Sequence, residues 1–143
     1  MRRVKPASDE RTPDGSARFA VPSREQLLAV HPTDRDDAII IAVDGDIDVL
    51  TAPRLAAAIG AAFDRLGARP LVVDLSRVGF MGSSGLRVLR ESATEAVRHR
   101  GLAQLRVVVD HARPVIRPIE IVGLDQVLAL FHTVEDALTA EPR

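Results

Sequence analysis

The stretch that most constrains this chain is Leu71-Val72-Val73-Asp74-Leu75, followed a few residues later by Gly82-Ser83-Ser84-Gly85-Leu86. Four of the first five side chains are apolar, and Arg69-Pro70 and Arg77 bound the run, the pattern of a short strand buried on both faces. The glycines and serines break that pattern. Directly behind them a helical period opens, with Leu86, Leu89, Ala93, Ala96 and Val97 on one face of residues 84–100. A chain that passes from buried strand to amphipathic helix across so short a polar break is committed to packed α/β layers. Ser83 or Ser84 is the natural N-cap of the helix, because a hydroxyl oxygen there accepts from an unpaired N–H of the first turn.

Such a position has chemical consequences. Free N–H groups and the helix dipole favour negative charge at a helix start. A phosphoryl group on either serine is therefore tolerated, and it adds about two negative charges at one surface point, enough to weaken an interface built for a neutral hydroxyl. A plain helix cap uses the same residues, and the local pattern leaves both readings standing.

Composition narrows the function classes. At 143 residues and 46% hydrophobic, the chain is one domain in size and can bury a real core. Its 19 basic and 20 acidic side chains give a net charge of −1, which points to neither nucleic acid nor an anionic membrane. Trp and Tyr are absent and aromatic residues make up only 3% of the chain, which argues against base-stacking platforms. Cysteine is absent too, which removes disulfides, thiolate catalysis and cysteine-based zinc sites. No apolar run approaches a membrane span and the N-terminus lacks the hydrophobic centre of a secretory signal, so a cytoplasmic protein is expected.

Along the chain, residues 1–24 mix Arg, Asp, Ser, Pro and Gly without a period, which predicts a flexible leader ahead of one domain over residues 25–143. Residues 26–30 read as a strand ending at His31-Pro32, residues 33–37 as a turn, and residues 38–43 as a second, β-branched strand. Thr51 caps the next helix, Pro53 sits in its first turn, and Leu55, Ile59, Ala62, Phe63 and Leu66 trace its buried face up to Gly67. Residues 105–109 read as a fourth strand. Arg113-Pro114 opens a short helix through Ile116, Ile119 and Ile121 to Gly123, with Pro118 bending it or delaying its start. Residues 127–131 read as a last strand, and Thr133 with Asp136 caps a terminal helix carrying Val134, Ala137 and Leu138. The expected fold is α/β: a mixed, mostly parallel sheet of about four to five strands with an antiparallel hairpin at its start, packed with about four α-helices.

Two catalytic or metal readings fail on spacing. Asp44-Gly45-Asp46-Ile47-Asp48 resembles the opening of a calcium loop, but that loop needs Gly and then a bidentate Glu where this chain has Val49 and Leu55. Gly82-Ser83-Ser84-Gly85-Leu86 lacks the final glycine of a G-x-S-x-G nucleophile elbow. His31, His99, His111 and His132 occupy strand-end, helix-end and loop positions that suit solvated side chains better than a catalytic base. No enzyme activity, cofactor or metal is expected.

Asp74-Leu75-Ser76-Arg77-Val78-Gly79-Phe80-Met81-Gly82-Ser83-Ser84-Gly85-Leu86 resembles the signature of the STAS domains, in particular the bacterial anti-sigma factor antagonists, whose usual form is D-L-S-x-V-x-F-M-D-S-S-G-L. Val43-Asp44-Gly45-Asp46-Ile47-Asp48 is similar to a second segment of the family, and residues 111–124 to a third, so the likeness spans about residues 26–140. The resemblance implies a STAS-like fold and makes Ser83 the phosphoacceptor by its place in the motif, with Ser84 its neighbour. It also implies that Asp46 and Asp48 lie beside the serine and, with Gly82, Ser83, Ser84 and Gly85, help to form a partner surface. Arg87 and Arg90, on the polar side of the following helix, add a contact to an acidic partner or merely a solvated face.

The function so implied is a partner switch. The unmodified protein captures an anti-sigma factor with serine-kinase activity and frees a sigma factor; phosphorylation of Ser83 ends the capture and a serine phosphatase restores it. Carboxylates beside a phosphoserine would add like-charge repulsion. The family usually has Asp where this chain has Gly82. That departure keeps open a second reading, a STAS module acting without phosphorylation as a subunit of a transporter or stress-signalling scaffold.

Overall fold

In the computed structural model, which describes residues 28–110 and 115–140, five strands form one sheet in the order β1 (Leu28–Asp34), β2 (Ile39–Ile47), β3 (Leu71–Met81), β4 (Arg106–Val108) and β5 (Ala129–Phe131). β1 and β2 pair antiparallel, and every other pairing is parallel. The expectations for the leader, for a strand start at Gln26, and for His111 and Arg113-Pro114 lie outside the described residues.

Alternation along the strands divides the core. Ile39, Ile41 and Val43 of β2 and Leu71, Val73 and Leu75 of β3 meet α1 (Ala52–Leu66), α2 (Ser83–Thr94) and α3 (Ile116–Ile121) on one face. Val72 and Val108 point the other way, against Ala137 of α4 (Val134–Thr139). This two-sided burial is why residues 71–73 read as an unbroken apolar run. α1 lays Leu55, Ile59, Phe63 and Leu66 into the main core. Burying each such side chain contributes about 2 kcal/mol, which fixes the helix far more firmly than its propensity does.

Several boundaries depart from the sequence expectation for identifiable reasons. β1 runs through His31-Pro32 to Asp34 instead of stopping there, because it is an edge strand where a missing N–H is harmless. β3 continues past Ser76 to Met81, and its register against β2 slips twice: Ala42 and Asp44 face Asp74 and Arg77, then Gly45 and Asp46 face Val78 and Phe80. Each slip adds one residue to β3, a β-bulge that reverses the inside-outside alternation. Val78 is thereby buried, and after the second reversal Phe80 faces out while Met81 faces in.

The helix behind the serines changes character. After Thr94 it widens into a π turn, Glu95–His99, which keeps Ala96 in the core but swings Val97 outward to 47% exposure, against the expected apolar face. α3 starts late, at Ile116, as Pro118 requires; the proline then lies in the first turn, where no intrahelical N–H bond is lost. Ile121, expected on its apolar face, is exposed at its last turn. A 3-10 turn, Leu124–Gln126, occupies the space before β5, which shortens the last strand. α4 begins as expected, with the Thr133 hydroxyl accepting from the Asp136 N–H at 3.0 Å.

Candidate functional site

The parallel register that sets Ile47 beside Met81 brings two strand-to-helix junctions together at the carboxyl edge of the sheet. One hydrogen bond beyond the ladder, from the Gly82 N–H to the Ile47 carbonyl at 2.9 Å, ties the residue before α2 to the residue before Asp48.

That bond also settles where α2 begins. It holds Gly82 in an extended conformation (φ −85°, ψ −176°), and the Gly82 carbonyl accepts from the N–H groups of Gly85 and Leu86 at 3.1 and 3.2 Å. Gly82 is therefore the N-cap, in place of the expected Ser83 or Ser84, and no side chain caps the helix. Ser83 and Ser84 are its first two residues, where backbone N–H groups have no intrahelical acceptor. Ser83 is exposed and Ser84 half-buried, and among the described residues neither hydroxyl makes a hydrogen bond. An anion on Ser83 would sit at the positive end of α2.

Gly85 is the anchor beneath the serines. A Cβ there would lie 2.7 Å from Ile47 Cγ2 and 2.8 Å from Met81 Cγ, so only glycine lets the first turn of α2 rest on the ends of β2 and β3. Gly82 has no such demand. A Cβ on it would meet the Phe80 ring at 3.4 Å in a backbone conformation open to any residue, so the Asp usual in the family is sterically admissible.

The two carboxylates expected beside the serine have different surroundings. Asp46 is exposed on β2 and lies over Gly79, its Oδ1 3.4 Å from where a Cβ of that glycine would stand. Asp48 is half-buried, and its Oδ1 accepts from the N–H groups of Leu50 and Thr51 at 2.9 and 3.0 Å. The buried Thr51 hydroxyl accepts from the Asp48 N–H at 2.9 Å and reaches the Asp46 carbonyl at 2.8 Å. Asp48 thus organises the loop, while Asp46 presents charge. Among the described residues no group of three His, Asp or Glu could hold a metal ion.

This closed loop pushes two apolar side chains into solvent, Val49 at 71% and Leu50 at 56% exposure, and the second bulge of β3 adds Phe80 at 54%. Sequence reasoning passed over all three. An apolar pair inside a turn, where polar turn residues are the norm, was the available signal for Val49-Leu50. Phe80 gave none, because its exposure depends on the bulge. Arg87 and Arg90 are exposed on α2, one and two turns beyond Ser83. Arg90 also borders a separate cleft with Val97 and Val127.

At this edge Asp46 pairs with Phe80 across the ladder and Ile47 is bonded to Gly82, the residue that precedes Ser83, Ser84 and Gly85. A family profile described as the STAS domain matches residues 30–137. The chain is 35% identical over 119 residues to the anti-sigma-F factor antagonist RsfB of Mycobacterium tuberculosis, a match covering 82% of this chain and 92% of that relative. Among solved structures it is similar to an anti-sigma factor antagonist from Mycobacterium paratuberculosis, with a TM-score of 0.69 at 35% identity over 82% of this chain and 97% of that one. The anti-sigma factor antagonist SpoIIAA in its unphosphorylated form shares the fold, with a TM-score of 0.55 at 22% identity over 76% of this chain and 92% of that one. By its sheet order, its β3–α2 signature and these matches over most of its length, the chain belongs to the STAS domain family.

Proposed function

We propose that this protein is an anti-sigma factor antagonist whose unmodified form captures an anti-sigma factor with serine-kinase activity, and that phosphorylation of Ser83 ends the capture. Homology to RsfB over 92% of that relative supports the first half. The single observation behind the second is an exposed Ser83 hydroxyl at the start of α2, without a hydrogen bond among the described residues, at a sheet edge that also presents Phe80, Val49, Leu50 and Asp46. Exposed apolar side chains around a neutral hydroxyl suit a desolvated protein interface. A phosphate there would need costly dehydration on docking, at an edge that also presents the carboxylate of Asp46.

In the proposed step the Ser83 Oγ attacks the γ-phosphorus of ATP held by the kinase. The Oγ–P bond forms as the bond to ADP breaks, and the hydroxyl proton passes to a base on the kinase. This chain supplies the acceptor alone. Hydrolysis by a separate serine phosphatase returns the hydroxyl and releases phosphate. Gly82 supports a second reading, a STAS module that binds its partner without being phosphorylated, since the helix start lacks the usual carboxylate.

The test is incubation of the purified protein with candidate anti-sigma factors and ATP, followed by mass spectrometry. The switch predicts a phosphoryl group on Ser83, and a Ser83→Asp variant that binds the same partner at least about tenfold more weakly, the effect of one misplaced charge. A partner that binds tightly, leaves Ser83 unmodified and ignores Ser83→Asp establishes the second reading instead.

A further inference from the structure

α1 and α2 pack side by side on the sheet, yet they leave a groove of about 210 Å3 between them, floored by Ile59, Phe63 and Val88. Three observations set this groove apart from a packing defect. Gly60 lies in the interior of α1, where glycine is the worst choice short of proline, and a Cβ there would meet nothing within 4 Å. Packing does not require that glycine; its effect is to keep the groove open.

The second observation is Ser92. It is 8% exposed and borders the groove, and its hydroxyl makes no hydrogen bond among the described residues. Thr94 and Thr139, also helical, return their hydroxyls to backbone carbonyls three or four residues earlier. A buried hydroxyl left without a partner is one that a ligand can satisfy.

The third is charge. Glu91 and Glu95 border the groove. Arg100 neutralises Glu95 at 2.8 Å, also reaches Asp64 at 3.3 Å, and stands 5.4 Å from the centre of the Phe63 ring, closing one end. Glu91 has no ion pair among the described residues, so the groove keeps an uncompensated carboxylate beside an aromatic wall that already accepts one cation.

We infer that the groove between α1 and α2 binds a small organic cation with an apolar body, its ammonium group toward Glu91 and its hydrocarbon part over Ile59, Phe63 and Val88. The volume suits a ligand of about ten non-hydrogen atoms. This site is independent of the serine switch and survives if that reading fails.

The test uses the full chain and phenethylamine as probe, with 2-phenylethanol as its neutral and phenylacetate as its anionic counterpart, following the amide signals of Gly60 and Ser92 by NMR. The amine is expected to shift both signals, the alcohol to bind about tenfold more weakly for want of a charge-assisted bond, and the acid not to bind. Glu91→Gln should bring amine and alcohol to equal affinity. Gly60→Leu, which fills the groove, should lose both; if that variant does not fold, Gly60→Ala should weaken both while raising Tm. Equal binding of all three probes overturns the inference, as does wild-type affinity in the Gly60 variants. So does the absence of any shift at amine concentrations of about 10 mM, beyond the range expected for a ligand of this size.

Discussion

Two helices start side by side at the carboxyl edge of the sheet, and they are finished to opposite standards. The start of α1 is closed: Thr51 is buried, its hydroxyl joins the Asp46 carbonyl and the Asp48 N–H, and the Asp48 carboxylate takes two further N–H groups. The start of α2 has a glycine cap and an exposed hydroxyl with no hydrogen bond among the described residues, and what separates the two starts is this open hydroxyl, since neither helix has a side-chain cap on its first turn. Polar groups that serve stability are satisfied within the chain, whereas an exposed hydroxyl without such a bond remains available. The difference separates a residue that builds the site from one offered by it.

The comparison can be broken or sharpened by substitution. The largest effect is expected from Gly85→Val, which forces a side chain into Ile47 and Met81; a loss of about 3 kcal/mol, read by denaturant unfolding, would follow from overpacking. An unchanged midpoint would mean that α2 can lift off the sheet. Thr51→Val should cost about 2 kcal/mol because it strands the Asp48 N–H and the Asp46 carbonyl, while Ser83→Ala should stay within about 0.5 kcal/mol. Equal losses from those two would erase the distinction between the helix starts. Gly82→Asp gives α2 the carboxylate cap it lacks, and should gain a few tenths of a kcal/mol, about 1–2 °C in Tm.

The smallest effect concerns the far end of α1. A hydrogen bond from Arg69, with a further one from Arg65, holds the Asp34 carboxyl below its ordinary value of 3.8 despite some opposing desolvation. Because the folded-state pKa is depressed, the resulting stabilisation is present above 3.8 and fades as pH falls through the folded value. Melting temperatures measured between about pH 5 and pH 2 should therefore drop more steeply for wild type than for Asp34→Asn. Parallel curves would remove Asp34 from the acid response.

How much of this was legible in the chain depends on whether the controlling interaction is local. The bounds and buried face of α1 were readable, since Pro53, the apolar period and Gly67 act within a turn or two, but Thr51 stands at the N-cap position without capping: its hydroxyl turns back to Asp46 and Asp48 instead of to a first-turn N–H. The mixed sheet followed from the order of strands and helices. The end of β3 was not readable, because bulges are set by pairing with β2 and make residues 76–80 look like a loop. The cap of α2 was misplaced for a related reason: serine is the better local cap, but the Ile47 carbonyl, distant in sequence, selects Gly82. The exposure of Val49, Leu50 and Phe80 is likewise a tertiary outcome, invisible to periodicity.

The paired register slips in β3 carry a further consequence. Two half-turns of the pleat cancel, so the strand ends in the same phase in which it entered. Losing one of the extra residues, Arg77 or Gly79, would remove a bulge and yet leave Phe80 opposite Asp46 and Met81 opposite Ile47, because β2 alternates without interruption and sets the way its partners face. The extra residues are slack in the strand, which can be shortened there without turning the ring of Phe80 into the core.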